Sequence, residues 1–208
     1  GYPVWYMRGY IYDGVNSETG EPIFRDLDDN NVIDNNDMTM VGSGIPDVTY
    51  GITINLGYKN FDFTLFGTGA AGNDIYSCVY RTEHVRINSL KYFFENRWTP
   101  ENTGASMPSI SNIATNVKFW SSTANVFDGS YFKIKQIQLG YTLPQSLLSK
   151  VHISSLRVFA SLDDFFTFTK YPGFDPEMAS TGAANGIGFD KGSFPTSRKF
   201  VFGFNLSF

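Results

Sequence analysis

Thr49-Tyr50-Gly51-Ile52-Thr53-Ile54-Asn55-Leu56-Gly57-Tyr58 decides the fold class. Tyr50, Ile52, Ile54, Leu56 and Tyr58 form one set; Thr49, Gly51, Thr53, Asn55 and Gly57 form the other. A period of two is a β-strand signal, because successive side chains point to opposite faces. A strand on a soluble core also alternates, but it seldom carries Tyr at both ends of its apolar face. In a membrane barrel those ends lie at the two interfaces, where an amphipathic ring is favoured. The last residues repeat the pattern, with Phe200, Phe202, Phe204, Leu206 and Phe208 opposite Val201, Gly203, Asn205 and Ser207. Leu156, Val158, Ala160 and Leu162 make a third stripe, and Phe61, Phe63 and Leu65 a fourth. From Tyr131 to Leu143 the stripe changes phase, from Phe132 and Ile134 to Ile137, Leu139, Tyr141 and Leu143. That change predicts a bulge or break near Lys135 and Gln136. Val4 to Tyr12 reads as a further strand.

The links between these segments alternate in length. Asp13–Val48 is long, the turn around Lys59 very short, and Ala70–Ser130 very long; Pro144–His152 is short and Lys170–Lys199 long. Outer-membrane barrels alternate short periplasmic turns with long extracellular loops, whereas a β-sandwich has no reason to do so. With a periplasmic C-terminus, all three long links fall outside the cell. Six strands are too few to close a barrel, since the smallest single-chain examples have about eight; either further strands lie in Ala70–Ser130 or, the favoured reading, the chain is part of a larger barrel. The expected fold is therefore all-β: an antiparallel transmembrane β-barrel segment, about six strands of a larger barrel. Ile87 to Asn96 reads as helical, with Leu90, Phe93, Phe94 and Arg97 on one side.

Composition fits this reading. Aromatic residues make up 17% of the 208, and charged residues also only 17%, against about 25% charged in a soluble domain. A formal net charge of -4 offers no basic patch, which argues against a nucleic-acid partner. Cys78 is the single cysteine, so no intrachain disulfide forms. No apolar run is long enough for a transmembrane helix. Gly1 opens directly in a mixed aromatic segment without a signal peptide, as expected for a chain that has been processed, cut or only partly represented.

Several stretches resemble the C-terminal region of the SusC/RagA family of TonB-dependent outer-membrane transporters. They are Arg8-Gly9-Tyr10-Ile11-Tyr12-Asp13-Gly14, the acidic Asp26–Asp37 followed by Gly42–Pro46, and Arg97-Trp98-Thr99-Pro100-Glu101-Asn102. Asp128-Gly129-Ser130-Tyr131, Leu139-Gly140-Tyr141-Thr142-Leu143-Pro144, Phe168-Thr169-Lys170-Tyr171, Gly173-Phe174-Asp175-Pro176-Glu177 and the terminal Phe208 complete the set, in family order. The resemblance implies that residues 1–208 are the C-terminal part of the barrel, with a plug domain and the remaining strands upstream. It implies no enzyme but TonB-powered import of glycan or peptide fragments across a Gram-negative outer membrane, with a SusD-like surface lipoprotein as partner. From the residues alone a second class stays open, a secreted, calcium-stabilised β-sandwich that binds carbohydrate.

Asp26-Leu27-Asp28-Asp29-Asn30-Asn31-Val32-Ile33-Asp34-Asn35-Asn36-Asp37 is the strongest local chemical signal. Oxygen ligands at positions 1, 3, 5, 9 and 12, with the position-7 carbonyl, suit a structural Ca2+. Asp26, Asp28 and Asn30 would bind through side chains, Val32 through its carbonyl, Asp34 directly or through water, and Asp37 would close the site. Asn31 replaces the usual Gly and Asp37 is shorter than the usual Glu; the alternative is a solvated acidic loop. Gly67-Thr68-Gly69-Ala70-Ala71-Gly72 formally matches a dinucleotide fingerprint, but the strand before it alternates and no helix is expected after it. His84 and His152 are too few for a histidine metal site, and Cys78 reads as a small packed residue. Trp98, Trp120, Phe119 and Tyr92 lie in the longest link, where they either meet a sugar or partner or pack among themselves.

Overall fold

A computed structural model describes residues 1–78, 91–113, 116–149, 153–180 and 186–208. Its strands are β1 (Tyr6–Gly9), β2 (Tyr12–Val15), β3 (Pro22–Phe24), β4 (Thr39–Ser43), β5 (Val48–Tyr58), β6 (Phe61–Ala71), β7 (Asp74–Ser77), β8 (Val126–Asp128), β9 (Tyr131–Thr142), β10 (Ser155–Thr169), β11 (Phe189–Asp190) and β12 (Lys199–Ser207). Five of them form one antiparallel meander in the order β12-β10-β9-β6-β5.

The register joins the apolar stripes into one face. Ile54 lies opposite Leu65, Leu65 opposite Ile137, Ile137 opposite Leu162, and Leu162 opposite Phe200. Opposed residues of an antiparallel pair share a face, so one apolar surface runs across all five strands. It is open: Phe202 is 78% and Phe204 69% exposed. In a sandwich a second sheet would cover this face, and among the described residues none does. At the end where the long links begin, Tyr50, Phe132 and Phe168 stack in a row, at 6.0 and 6.4 Å between neighbouring ring centroids. At the other end Phe61 packs on Tyr141 at 4.6 Å. Aromatic rows at both edges of an apolar band are the pattern of a transmembrane barrel wall. The eleven residues of β5 rise about 25 Å when tilted by about 45°, which matches that band.

The expected bulge is present. Pairing on both sides of β9 skips Lys135, between Gln136 and Ile134, and β10 adds Asp164 and Phe165 at the same level. This restores the phase, so that Ile134 meets Phe166 and Phe132 meets Phe168 on the apolar face. The short turn is Lys59-Asn60, with Lys59 left-handed at φ 52° and the Asn60 side-chain amide donating to the Thr142 carbonyl at 2.7 Å. Gly67 and Gly69 lie inside β6. Gly69 sits under the Tyr50 ring, where a side chain would collide; the formal fingerprint serves close packing in a strand.

Two expectations are corrected. Val4–Tyr12 is not a wall strand. Four of its residues form β1, which pairs with β4, and the chain then turns into the β2–β3 ribbon. The Tyr10 N–H donates to the Ser121 carbonyl, and the Tyr10 carbonyl accepts from Thr123 N–H, so this backbone is committed to the links. The wall has five strands here, one fewer than expected. Of the predicted helix, Lys91–Asn96 is helical and Ile87–Leu90 lie outside the described residues. Phe93 is buried, whereas Phe94 is exposed beneath the Arg97 guanidinium at 3.6 Å, so the two rings do not share a side.

The long links all leave the same end of the sheet and pack into a cap with its own core. Phe93, Met107, Ile113, Phe119 and Trp120 form one cluster, with Tyr12 and Phe24 against it. Each such buried side chain contributes about 1.5–3 kcal/mol, which holds the described parts of these links together. Phe119 and Trp120 are therefore core residues. Trp98 covers Gly20 and donates its indole N–H to the Ser17 carbonyl at 2.9 Å. Tyr92 packs edge-on against Phe93.

Candidate functional site

The face opposite the apolar one is mostly polar, although Phe66 and Phe159 also lie on it. It carries Thr53 and Asn55 on β5, Asp62 and Thr64 on β6, Gln136 and Gln138 on β9, Arg157 and Ser161 on β10, and Asn205 on β12, all in the other phase of the same register. The Thr64 hydroxyl donates to Asn55 Oδ1 at 2.9 Å. Asp62 lies opposite Gly140 and Arg157 opposite Thr142, and their ion pair closes over Gly140, at 2.9 Å from Nε and 2.5 Å from the terminal nitrogen. A side chain at Gly140 would displace both. A wall with such a face borders water or a polar cargo.

The acidic loop lies in the cap. Asp26, Asp28 and Asp37 bring carboxylate oxygens within 4.8 Å of one another. Asp37 is fully buried and accepts from the backbone N–H of Asp34 and Leu27, both at 2.7 Å; these bonds hold its carboxyl below the usual range. Asp28 is pushed up, by desolvation first and also by Asp26 and Asp37. Asn31 takes the left-handed conformation at φ 62°, as a residue in the place of Gly must. Asn30 donates its amide to Asp28 and accepts from Val32 N–H through its oxygen. Asp34 caps the short helical turn Asn35–Asp37 by accepting from Asn36 N–H. Three of the six expected ligands thus converge, and the side chains of Asn30 and Asp34 are bonded within the loop. Lys118 ties this loop to the rest of the cap through the Ile33 carbonyl.

A second charged cluster was not visible in the sequence. Lys133, on the polar face of β9, is buried and reaches Asp175, Glu177 and Thr196 in the link between β10 and β12. Burial raises the Asp175 carboxyl, but hydrogen bonds from Thr196 and Lys133 outweigh this and leave it below the usual range. A depressed folded value stabilises above the unfolded value of about 4 and is lost as pH falls through the lower folded one. The link is expected to resist an acid-active protease at pH 5 and to become progressively cleavable near residue 175 as pH falls from about 4 through the lower folded value. Cys78 is half-buried, with its N–H donating to the Asp190 carbonyl; His84 and His152 lie outside the described residues.

Known proteins agree with this geometry. No protein-family profile matches the chain. TonB-dependent receptor P3 of Formosa agariphila is 33% identical over 96% of this chain, and TonB-dependent receptor SusC of Bacteroides thetaiotaomicron is 28% identical over 96%. A solved structure of the RagAB peptide transporter superposes over 100% of this chain with a TM-score of 0.82 and 26% identity. The chain belongs to the SusC/RagA family of TonB-dependent transporters. It spans 22% of the Formosa receptor, 19% of SusC and 23% of the RagAB chain. The all-β, antiparallel barrel-wall architecture is shared with these SusC/RagA relatives.

Proposed function

We propose that this SusC/RagA chain is the C-terminal part of a barrel that imports glycan or peptide fragments across a Gram-negative outer membrane. The single observation that carries this reading is the two-faced sheet: one continuous apolar face with aromatic edges, one polar face, and every long link at one end. A plug domain and further strands complete the barrel, TonB supplies the energy through that upstream region, and a SusD-like surface lipoprotein binds at the cap. The kinship with SusC and RagAB supports these partners. The test is uptake by cells carrying the whole transporter. Labelled oligopeptides and oligosaccharides should enter only with an energised inner membrane, and a tagged lipoprotein should co-purify with the barrel. Entry that persists after deletion of the gene, or a barrel that never captures a lipoprotein, overturns the proposal.

The acidic loop supports a structural role for Ca2+ in this reading. Asp26, Asp28 and Asp37 would hold the ion, and it would relieve both the desolvation that chiefly raises Asp28 and the repulsion from Asp26 and Asp37 that adds to it. The purified transporter is expected to carry one calcium per chain by elemental analysis, and Asp26→Ala with Asp28→Ala is expected to remove it. Equal calcium content in the variant counts against the site.

A further inference from the structure

Lys133 has an unusual position for a charge. Its side chain is 1% exposed, and its cross-strand neighbours on the polar face are Thr68 and Thr167, neither charged. Within the sheet the carboxylate near it is that of Asp164, at 4.0 Å from Nζ. The closer partners of Lys133 come from the link between β10 and β12. Its Nζ lies 2.9 Å from Asp175 Oδ2 and 3.1 Å from Glu177 Oε2, and it also meets the Thr196 hydroxyl. Asp175 in turn accepts from Thr196 N–H at 3.1 Å and from its hydroxyl at 2.6 Å. Two separate parts of the link, 175–177 near its start and 196 near its end, are thus gathered on one ammonium.

The bulge completes the arrangement. Lys135, the residue that pairing skips, reaches Glu177 at 2.6 Å and Asp164 at 3.3 Å. Asp164 stands in the extra turn of β10 with φ 58°, a costly conformation for a residue with a side chain. Bulges often re-aim side chains in this way. Two lysines and one carboxylate of the wall therefore meet two carboxylates of the link. A buried ammonium is strongly unfavourable unless paired and hydrogen-bonded, and here most of the pairing requires the link to lie against the wall. Beside it opens a cavity of about 440 Å³, lined by Asp164, Thr167, Phe174, Thr196 and Arg198 among others. Its shape depends on where the link sits.

We propose that Lys133, seconded by Lys135, is a positioning residue that fixes two stretches of the link, 171–180 and 193–198, to the inner wall at the mouth of the barrel. These stretches of the link are then a fixed side of the entrance. The word entrance rests on the transport reading. The fixing itself does not, and the following measurement is independent of transport.

Hydrogen exchange is compared in the whole transporter in detergent, with wild type, Lys133→Met, Lys133→Arg and Glu177→Gln. Met keeps the volume and removes the charge. In Lys133→Met, amides of 171–180 and 193–198 should exchange at least roughly tenfold faster, while those of β9 and β10 stay as in wild type. Lys133→Arg should restore most of the protection, and Glu177→Gln should give a smaller increase confined to the link. Glu177→Gln keeps the test informative if Lys133→Met fails to assemble. Unchanged exchange in the link, or equal acceleration of β9, β10 and the link, overturns the proposal.

Discussion

Phe204→Arg should strongly reduce the yield of folded barrel in lipid vesicles, while Asn205→Arg should leave most of it. The two residues are adjacent, so sequence position cannot account for a difference. Phe204 lies opposite Val158 on the apolar face and is 69% exposed on it, and Asn205 lies opposite Arg157 on the polar face. An arginine facing hydrocarbon costs about 2–4 kcal/mol near the midplane, and on the water side it costs little. About 3 kcal/mol is a factor of roughly 100 in a folding equilibrium, so the readout is large. Folding is measured as the heat-modifiable band on a gel and as protection from protease. The neighbouring Arg157 makes the Asn205 variant less than neutral, since it puts two like charges in opposed positions. The reverse order of yields would mean that the strand phase, and with it the outer face, is wrong.

Much of the wall was legible because its physics is local. A stripe such as Phe200 to Phe208 needs only the two-residue repeat to be read, and the phase change at Lys135 follows from the same repeat. The cap was legible only in part. Val4 to Tyr12 has the residues of a strand, yet its hydrogen-bonding partners include Ser121 and Thr123, more than a hundred residues away. Nothing in the segment itself announces them. Phe119 and Trp120 were equally consistent with a binding surface until the cap core placed them inside. In the acidic loop, Asp37 and Asp34 look alike in sequence. Their roles diverge because one accepts from two backbone amides in a buried position while the other caps the turn beside it. The Lys133 cluster had no signature at all. Lys133 sits in the polar phase like any residue facing water, and its partners at 175, 177 and 196 are 42 to 63 residues away.

The strand Phe200 to Phe208 should pair, in the membrane, with a strand from polypeptide outside these 208 residues. Among the described residues β12 pairs with β10 alone, and β5 with β6 alone. The sheet therefore has two open edges, both running the full height of the apolar band. Water would satisfy such edges in a soluble protein, but in hydrocarbon each unpaired N–H or C=O costs several kcal/mol. Charges, prolines or a covering loop would blunt an edge meant to stay open. β12 has Lys199 at its start and no proline, and its remaining residues carry no charge. β5 carries neither charge nor proline over its length. These are edges built to be paired. Residues 1–208 produced alone and refolded with vesicles are expected to give no heat-modifiable band and no protected fragment. Joined to the upstream strands of their own transporter, they are expected to give both. A protected, heat-modifiable species from residues 1–208 alone would show that they close a small barrel by themselves, with β12 meeting β5 directly.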